Sequence, residues 1–591
     1  MRPSRGQTRR RARLTLAALA ACALLNAAQV SRVRGARLAG SPTQLDADTR
    51  VQLNADARIR LNTVGFLPGH SKRASVAARF TDFSVVAEEG GAVVFRGKAA
   101  GPFHNADTDE DLYVADFSSL ERPGLYHLEV AGVGRSATFR VARDVYAAPL
   151  RAAVEAMYLW RCGEAVRADF EGVTYSHAAC HTEDAWLDFV GGGHARRDAA
   201  GGWHDAGDYN KYVVNAGVTV GTMLLAWEQF GPQIQRANLD AHGERGGSSA
   251  RVGLPAYLAE VKWETDWLLK MQAADGSVYH KVSTKEFGPA GPPEDEKTPR
   301  YFMPWSSAAT ADFAAVLARS ARAFAPFDTP YSRRCLDAAR AAYDFLRAHP
   351  ENHRADLRGF TTGAYQTGDA DDRLWAAAEL WETTGEGAYL SDFERRARDF
   401  NGKAGAELFE LDWGWSNVKN LGLLTYLFSK RAGRDASLVC QVRAGLIATA
   451  DRVLSLRDAH GYARTLGTRY YWGCNGGVAN TTVLLRSANL VAPRREYVEA
   501  ALDALSYLFG RNYYGRSFVT GLGFRPPQHP HFRPTLRQPA RPAWPGYLVG
   551  GGWPRATDWR DDEENYRVNE VAINWNAPLI YALASSLDAG R

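Results

Sequence analysis

Three carboxylates are placed to do chemistry. Two lie in Gly201-Gly202-Trp203-His204-Asp205-Ala206-Gly207-Asp208-Tyr209-Asn210-Lys211-Tyr212, and the third is Glu570, within Val568-Asn569-Glu570-Val571-Ala572-Ile573-Asn574-Trp575. The spacing of Tyr212, Val213, Ala216, Val220 and Leu224 predicts a helix after the first stretch. Asp205 then falls near its N-cap, with Asp208 three residues on. Unpaired N–H groups and the helix dipole would favour both ionised forms and lower both pKa values. Asp at such positions is also an ordinary cap, but the surrounding glycines permit close backbone approach and the aromatics could line a pocket. Glu570 sits among Val568, Val571 and Ile573. Apolar surroundings keep the proton on a carboxyl, as a general acid requires; the ordinary alternative is a buried Glu bonded to backbone. An ionised base facing a protonated acid is what cleavage of a glycosidic bond needs. The Pro-stiffened stretch Ser517 to Arg533 adds His531 and Arg533 as donors toward hydroxyl groups. Glu563 and Glu564 read as solvated surface.

A second cluster has metal-ligand chemistry. Cys162 and Cys180 stand near His181 and His204, and two Cys with two His can hold a tetrahedral Zn²⁺. A disulfide or two unrelated thiols are the alternatives. Cys335, Cys440 and Cys474 are scattered and read as buried free thiols.

The elements that must position these groups fall into two patterns. From Ile59 to about Arg143, short alternating runs (Ile59–Asn62, Ser84–Ala87, Ala92–Phe95, Leu112–Ala115, Tyr126–Val130, Ala137–Val141) are punctuated by Gly, Pro, Asp and Asn, which predicts a β-sandwich. After Val145 the period becomes helical: Leu150–Val166, Ala256–Met271, Ala308–Ala323, Cys335–Leu346, Leu374–Glu382, Leu421–Phe428, Val439–Leu456, Thr481–Leu490, Tyr497–Phe509 and Ala577–Leu587. Paired helices without a tight sequence repeat suggest an all-α toroid.

At 591 residues the chain exceeds one ordinary core, so several domains are expected. Residues 1–28 read as a signal peptide, with a basic n-region at Arg9–Arg13 and a short apolar run from Leu14 to Ala28. Leu19-Ala20-Ala21-Cys22 also resembles a lipobox, so the protein is expected outside the cytoplasm, secreted or periplasmic, with a lipid anchor on Cys22 as a variant. Residues 29–56 read as a linker, 57–145 as the sandwich and 146–591 as the helical domain. The net charge of +5 is interleaved rather than striped, which excludes a nucleic-acid face. A membrane contact would come only through Cys22, and a monomer is expected.

On Pro530-His531-Phe532-Arg533, on Trp559-x-Asp561 followed by Tyr566, Glu570, Ala572, Asn576 and Ala577, and on Asp205-Ala206-Gly207-Asp208, the sequence resembles glycoside hydrolase family 9, the inverting cellulases. Asn62-Thr63-Val64-Gly65-Phe66-Leu67-Pro68 and Gly134-Arg135-Ser136 look like the immunoglobulin-like module that precedes some members. The resemblance implies an immunoglobulin-like β-sandwich followed by an (α/α)₆ barrel with an open cleft. It implies Asp208 as general base, Asp205 helping to hold the water, and Glu570 as general acid. His531, Arg533 and Asp561 correspond to positions that bind substrate or organise the acid, and Tyr566 belongs to the same pattern. Cys162, Cys180 and His181 fall where relatives hold a structural zinc, with His204 as fourth ligand. Asp371 and Asp372 lie where relatives bind Ca²⁺, although Arg373 sits awkwardly beside a cation.

The expected reaction is hydrolysis of β-1,4-glucan with inversion and no cofactor for the chemistry. The base and acid carboxyls should then lie about 6.5–9.5 Å apart, leaving room for a water. Trp305, Trp375, Trp413, Trp415, Trp472 and Tyr209 are candidate stacking platforms, with core packing as the alternative for each. Competing readings are an exo-acting glucosaminidase or a mixed-linkage or xyloglucan hydrolase of the same family. More distant ones are a polysaccharide lyase and a non-catalytic glycan-binding lipoprotein.

Overall fold

A computed structural model describes residues 55–237, 239, 253–401, 407–538 and 541–589. The signal, the lipobox and most of the linker lie outside the described residues.

Residues 59–141 form a nine-stranded β region: β1 (Ile59–Arg60), β2 (Gly65–Phe66), β3 (Arg73–Val76), β4 (Asp82–Ala87), β5 (Val93–Asn105), β6 (Glu110–Asp116), β7 (Gly124–Val130), β8 (Gly134–Arg135) and β9 (Phe139–Val141). The strand order is β1-β3-β6-β5-β4-β7-β9-β2, with β8 on β7. All pairs are antiparallel except β2 with β9. Strand β5 serves two ladders. Its first half pairs β4 and its second half pairs β6. Every predicted run lies within or overlaps a strand. The inward residues form their own core around Phe66, Phe117 and Phe139, whose rings meet at 5.2–5.4 Å.

Twelve helices of ten or more residues follow among the described residues: α1 (Ala147–Leu159), α2 (Val213–Arg236), α3 (Ala256–Lys270), α4 (Ser307–Phe324), α5 (Thr329–Ala348), α6 (Ala370–Thr384), α7 (Gly387–Asn401), α8 (Lys419–Phe428), α9 (Ala436–Asp458), α10 (Cys474–Val491), α11 (Arg495–Leu508) and α12 (Ile573–Ala589). The even-numbered helices touch in succession, α2–α4–α6–α8 and α10–α12–α2, while the odd-numbered ones back them from outside. Composition explains the division. Helix α4 reads SAATADFAAVLARSARAF and is buried on every side, because small residues allow neighbours to approach all round. Helix α5 buries only a stripe, Tyr331, Cys335, Ala339, Ala342, Tyr343 and Leu346, and presents charges elsewhere.

Two local expectations need correction. The run read as a helix from Leu150 to Val166 ends at Leu159, and Val166 begins a hairpin, β10 (Val166–Phe170) with β11 (Val173–His177). Its alternation, Val-Arg-Ala-Asp-Phe, is a strand period. Cys440 is exposed, whereas Cys335 and Cys474 are buried as expected.

The β region is locked to the helices by polar contacts. Glu499 of α11 accepts the Ser71 N–H at 2.9 Å and meets His70 Nδ1 at 3.0 Å. His460 Nε2 lies 3.0 Å from Asp107.

Candidate active site

The Gly201–Asn210 loop does not run straight into a helix. Lys211 and Tyr212 form a short strand, β12, paired with β13 (Lys281–Ser283). Helix α2 therefore begins at Val213, with Tyr212 at its N-cap. Asp205 and Asp208 do not cap it, which corrects the helix-end argument. Instead the loop closes on itself through Asp205 N–H to Asn210 C=O at 3.1 Å. It is stitched to two distant segments. Ile573 N–H donates to Asp205 C=O at 3.0 Å, and Arg533 N–H donates to Gly207 C=O at 3.1 Å. These bonds bring the two acidic stretches of the sequence together.

Asp205 is buried. Its Oδ1 accepts from Asn215 Nδ2 and its Oδ2 from the Tyr365 hydroxyl, each at 2.7 Å. Asp208 Oδ2 accepts from Asn210 Nδ2 at 2.7 Å and the Tyr212 hydroxyl at 3.1 Å, while its Oδ1 takes no donor among the described residues. Burial, and next the charge of Asp208, push the Asp205 carboxyl well above the usual range, opposite to the lowering that a helix end would give. Glu570 follows a one-turn helix, Tyr566–Asn569, and is raised well above the usual range by burial and then by Asp208 and Asp205. It is enclosed yet still opens to the cleft. Gly207 is the close-approach residue between the acids. A Cβ there would lie 2.5 Å from His531 C=O and 3.2 Å from Glu570 Oε1.

All three carboxylates line one cavity of about 700 Å³. Its aromatic lining includes Tyr365, Trp413, Trp415, Tyr471, Trp472, Trp553 and Trp575. Trp413, Trp415 and Trp472 were candidates from sequence. Tyr365, Trp553 and Trp575 were not: Tyr365 and Trp553 reach the cleft from loops, and Trp575, close to Glu570 in sequence, turns its ring to the cleft from the start of α12. Tyr365 carries a local mark: its φ of +44° is left-handed, a conformation a non-glycine adopts only when the surroundings impose it.

Other predicted residues stand elsewhere. Trp375 is fully buried in α6, with Nε1 donating to Glu379 at 2.9 Å, its ring against Gly221 and its backbone against Gly422, so it is core rather than a platform. Tyr209 is buried with its hydroxyl on Gly291 C=O, and it too offers no open face. Trp305 stacks on His353 at 3.9 Å, outside the cavity lining. Arg533 donates to the Gly207 and Gly288 carbonyls at 3.0 and 3.1 Å, so it positions backbone. His531 is half-buried beside Gly207, its Nδ1 2.7 Å from Glu563 C=O, and partial burial lowers its pKa. Asp561 accepts the Gln528 and His529 N–H groups at 2.9 Å and a bond from Arg516 at the same distance, holding the loop that carries His531. Tyr566 is exposed at the rim, its ring 5.3 Å from that of Trp472.

The cysteine–histidine cluster does converge. Ligand atoms of Cys162, Cys180, His181 and His204 all lie within 4.8 Å of one another. Cys162 Sγ is 3.7 Å from His181 Nδ1 and Cys180 Sγ is 3.6 Å from His204 Nε2. Two thiols and two imidazoles around one point fit Zn²⁺, and the free thiols rule out the disulfide alternative in this structure. Asp371 and Asp372 fit calcium poorly. Asp371 accepts the Val418 N–H at 2.7 Å, Asp372 is buried against Asp312, and neither joins a ligand group of three among the described residues. Arg373 fills the neighbouring space, bonded to Asp369 and to the Leu346 and His349 carbonyls.

The pattern defining glycosyl hydrolase family 9 matches residues 146–583. This chain belongs to that family. The pattern of a cellulase N-terminal ig-like domain matches residues 54–135. Endoglucanase D of Acetivibrio thermocellus is 52% identical over 525 residues, covering 88% of this chain and 82% of that protein. A xyloglucan-specific endo-beta-1,4-glucanase of Bacteroides ovatus, BoGH9A, is 32% identical over 564 residues, covering 89% and 93%. A metagenome-derived family 9 endoglucanase of known structure superposes with a TM-score of 0.82 at 33% identity, covering 90% and 98%. The family member described here is thus an O-glycosyl hydrolase.

Proposed function

We propose that this enzyme cleaves internal β-1,4 bonds of glucan chains with inversion, within the ring of helices read as an (α/α)₆ barrel. The supporting observation is the convergence of Asp205, Asp208 and Glu570 on one aromatic-lined cavity. Glu570, kept protonated by burial and by its two acidic neighbours, gives its proton to the leaving glycosidic oxygen. Asp208 takes a proton from the attacking water through Oδ1, the oxygen its hydrogen bonds leave open. Asp205 has both oxygens engaged and serves to hold that water and the loop. The geometry required is a base–acid separation of about 6.5–9.5 Å. Tryptophans 413, 415, 472, 553 and 575 supply flat faces for pyranose rings.

The name of the most similar relative cited favours unsubstituted β-1,4-glucan; that of the Bacteroides relative keeps xyloglucan as the second substrate to assay. Zn²⁺ held by Cys162, Cys180, His181 and His204 would be structural, tying the 162–181 segment to the loop that carries Asp205. Export, with or without a lipid on Cys22, is part of the proposal, since polymeric glucan is met outside the cell. Rates on cellulose, cellohexaose, lichenan, xyloglucan and chitosan oligomers test the substrate. Turnover of chitosan alone would reject the glucanase reading.

A further inference from the structure

Beyond its four ligands, the metal cluster has a neighbour that no ligand motif contains. His181 turns Nδ1 to the cluster, and its other ring nitrogen, Nε2, faces Glu296 Oε2 at 3.4 Å, with both side chains buried. No Lys or Arg nitrogen approaches the Glu296 carboxylate within 4.0 Å among the described residues, and His181 Nε2 itself makes no formed hydrogen bond, so the two buried groups face each other without another partner in that contact. The other oxygen, Oε1, has no hydrogen-bond partner and abuts Gly288, where a Cβ would sit 1.8 Å from it. Gly288 C=O is gripped by Arg533 Nε at 3.1 Å, and Arg533 Nη1 grips Gly207 C=O at 3.0 Å. Gly291, three residues on, donates its N–H to Arg533 C=O at 3.1 Å and accepts the Tyr209 hydroxyl. Phe287, which lines the cleft, lies under the Arg533 guanidinium at 5.4 Å. One carboxylate therefore faces a metal ligand on one side and, on the other, lies beside Gly288 of a loop fastened through Arg533 to Gly207, the residue before Asp208.

We infer that Glu296 is a positioning residue that orients His181 for the metal and couples metal occupancy to the 287–291 wall of the cleft. The inference rests on the zinc reading above. A carboxylate behind a metal-bound imidazole fixes the ring and raises its basicity, and losing such a partner costs about 10–100-fold in metal affinity. Because Glu296 also fills the space beside Gly288, releasing the metal frees the carboxylate to move and slackens the Gly288–Arg533–Gly207 chain. The expected kinetic result is a raised KM with kcat little changed, since no group in this chain of contacts exchanges a proton with substrate.

The test uses zinc-replete enzyme and the variants E296Q and E296D. Zinc transfer to a chromogenic chelator should show roughly tenfold weaker binding in both. KM for cellohexaose should rise in both and return toward wild type with excess zinc. A variant-free arm at this position covers the case in which both misfold. In the E570Q enzyme, bound but uncleaved cellohexaose should slow zinc release, because coupling is reciprocal. Unchanged zinc affinity in E296Q, or release indifferent to cellohexaose, overturns the inference. Wild-type protein that binds no zinc overturns the metal reading itself, and the inference with it.

Discussion

Tyr365 offers the sharpest test of how Asp205, the partner of the proposed base, is held. Its hydroxyl donates to Asp205 Oδ2 at 2.7 Å, from a backbone in the left-handed region, against a buried carboxylate whose other oxygen is taken by Asn215. A hydrogen bond to a charged group is worth about 1.5–3 kcal/mol, and the substitution Tyr365→Phe removes it without changing the ring. If that stabilisation acts on the water-holding state, kcat/KM falls roughly 10- to 150-fold. The remaining Asp205 is also easier to protonate, since burial already raises it. The loss should therefore be greatest at low pH, with the acid limb of the profile displaced upward. The ring stays in place to meet Trp415 at 5.0 Å, so KM should change less than kcat. The assay is kcat/KM for cellohexaose from pH 4 to 9. Wild-type values across that range would refute the reasoning that Tyr365 holds Asp205 for the reaction.

Other outcomes follow from the same contacts. Glu570 is raised partly by Asp205, so Asp205→Asn should move the alkaline limb of kcat/KM to lower pH; an unmoved limb counts against the electrostatic link. A raised carboxyl in the folded state binds a proton that the unfolded chain releases. Stability from Glu570 is therefore lost as pH rises from the ordinary Glu range toward its folded pKa, and Glu570→Gln should gain Tm at pH 7 relative to pH 4. Trp375→Ala should cost about 3–5 kcal/mol by thermal or urea unfolding, as a buried ring in a packed core, while Trp415→Ala should chiefly raise KM, by up to about tenfold. Glu379 is fully buried between Arg319 and Arg322, which hold it below the usual range against the upward push of burial. Glu379→Ala should destabilise by about 3 kcal/mol, because it leaves the buried Arg319 and the half-buried Arg322 to share Glu228 alone.

Much of this architecture is written in local pattern. The strands Val85–Val86 and Leu128–Val130, and the apolar faces of α4 and α11, announce themselves by period alone. Helix α7 escaped the periodic reading because it buries only a thin line, Tyr389, Phe393 and Ala397, beneath a charged surface. The start of α2 was misplaced because the pairing of Lys211 and Tyr212 with β13 is a contact across 70 residues that no window contains. Trp375 and Trp415 look alike in sequence. One faces the interior of a helix layer and the other lies on a loop turned to the cleft, a difference set by tertiary placement. The acids were legible because their neighbours were unusual, but their shared environment was not. Asp205 is raised by burial and by Asp208, not lowered by a dipole.

The proposed mechanism turns on Glu570 protonating the leaving oxygen while Asp208, across the cleft, deprotonates a water. Proton NMR of the first products of cellohexaose hydrolysis reads this most directly, comparing wild type with Glu570→Gln on cellohexaose and on a cellobioside whose leaving group needs no proton. The account predicts α-anomers as the initial products. It also predicts about a 10²–10⁴-fold loss for the variant on cellohexaose, with far smaller loss on the activated substrate. Initial β-anomers, or a variant equally active on cellohexaose, would contradict it.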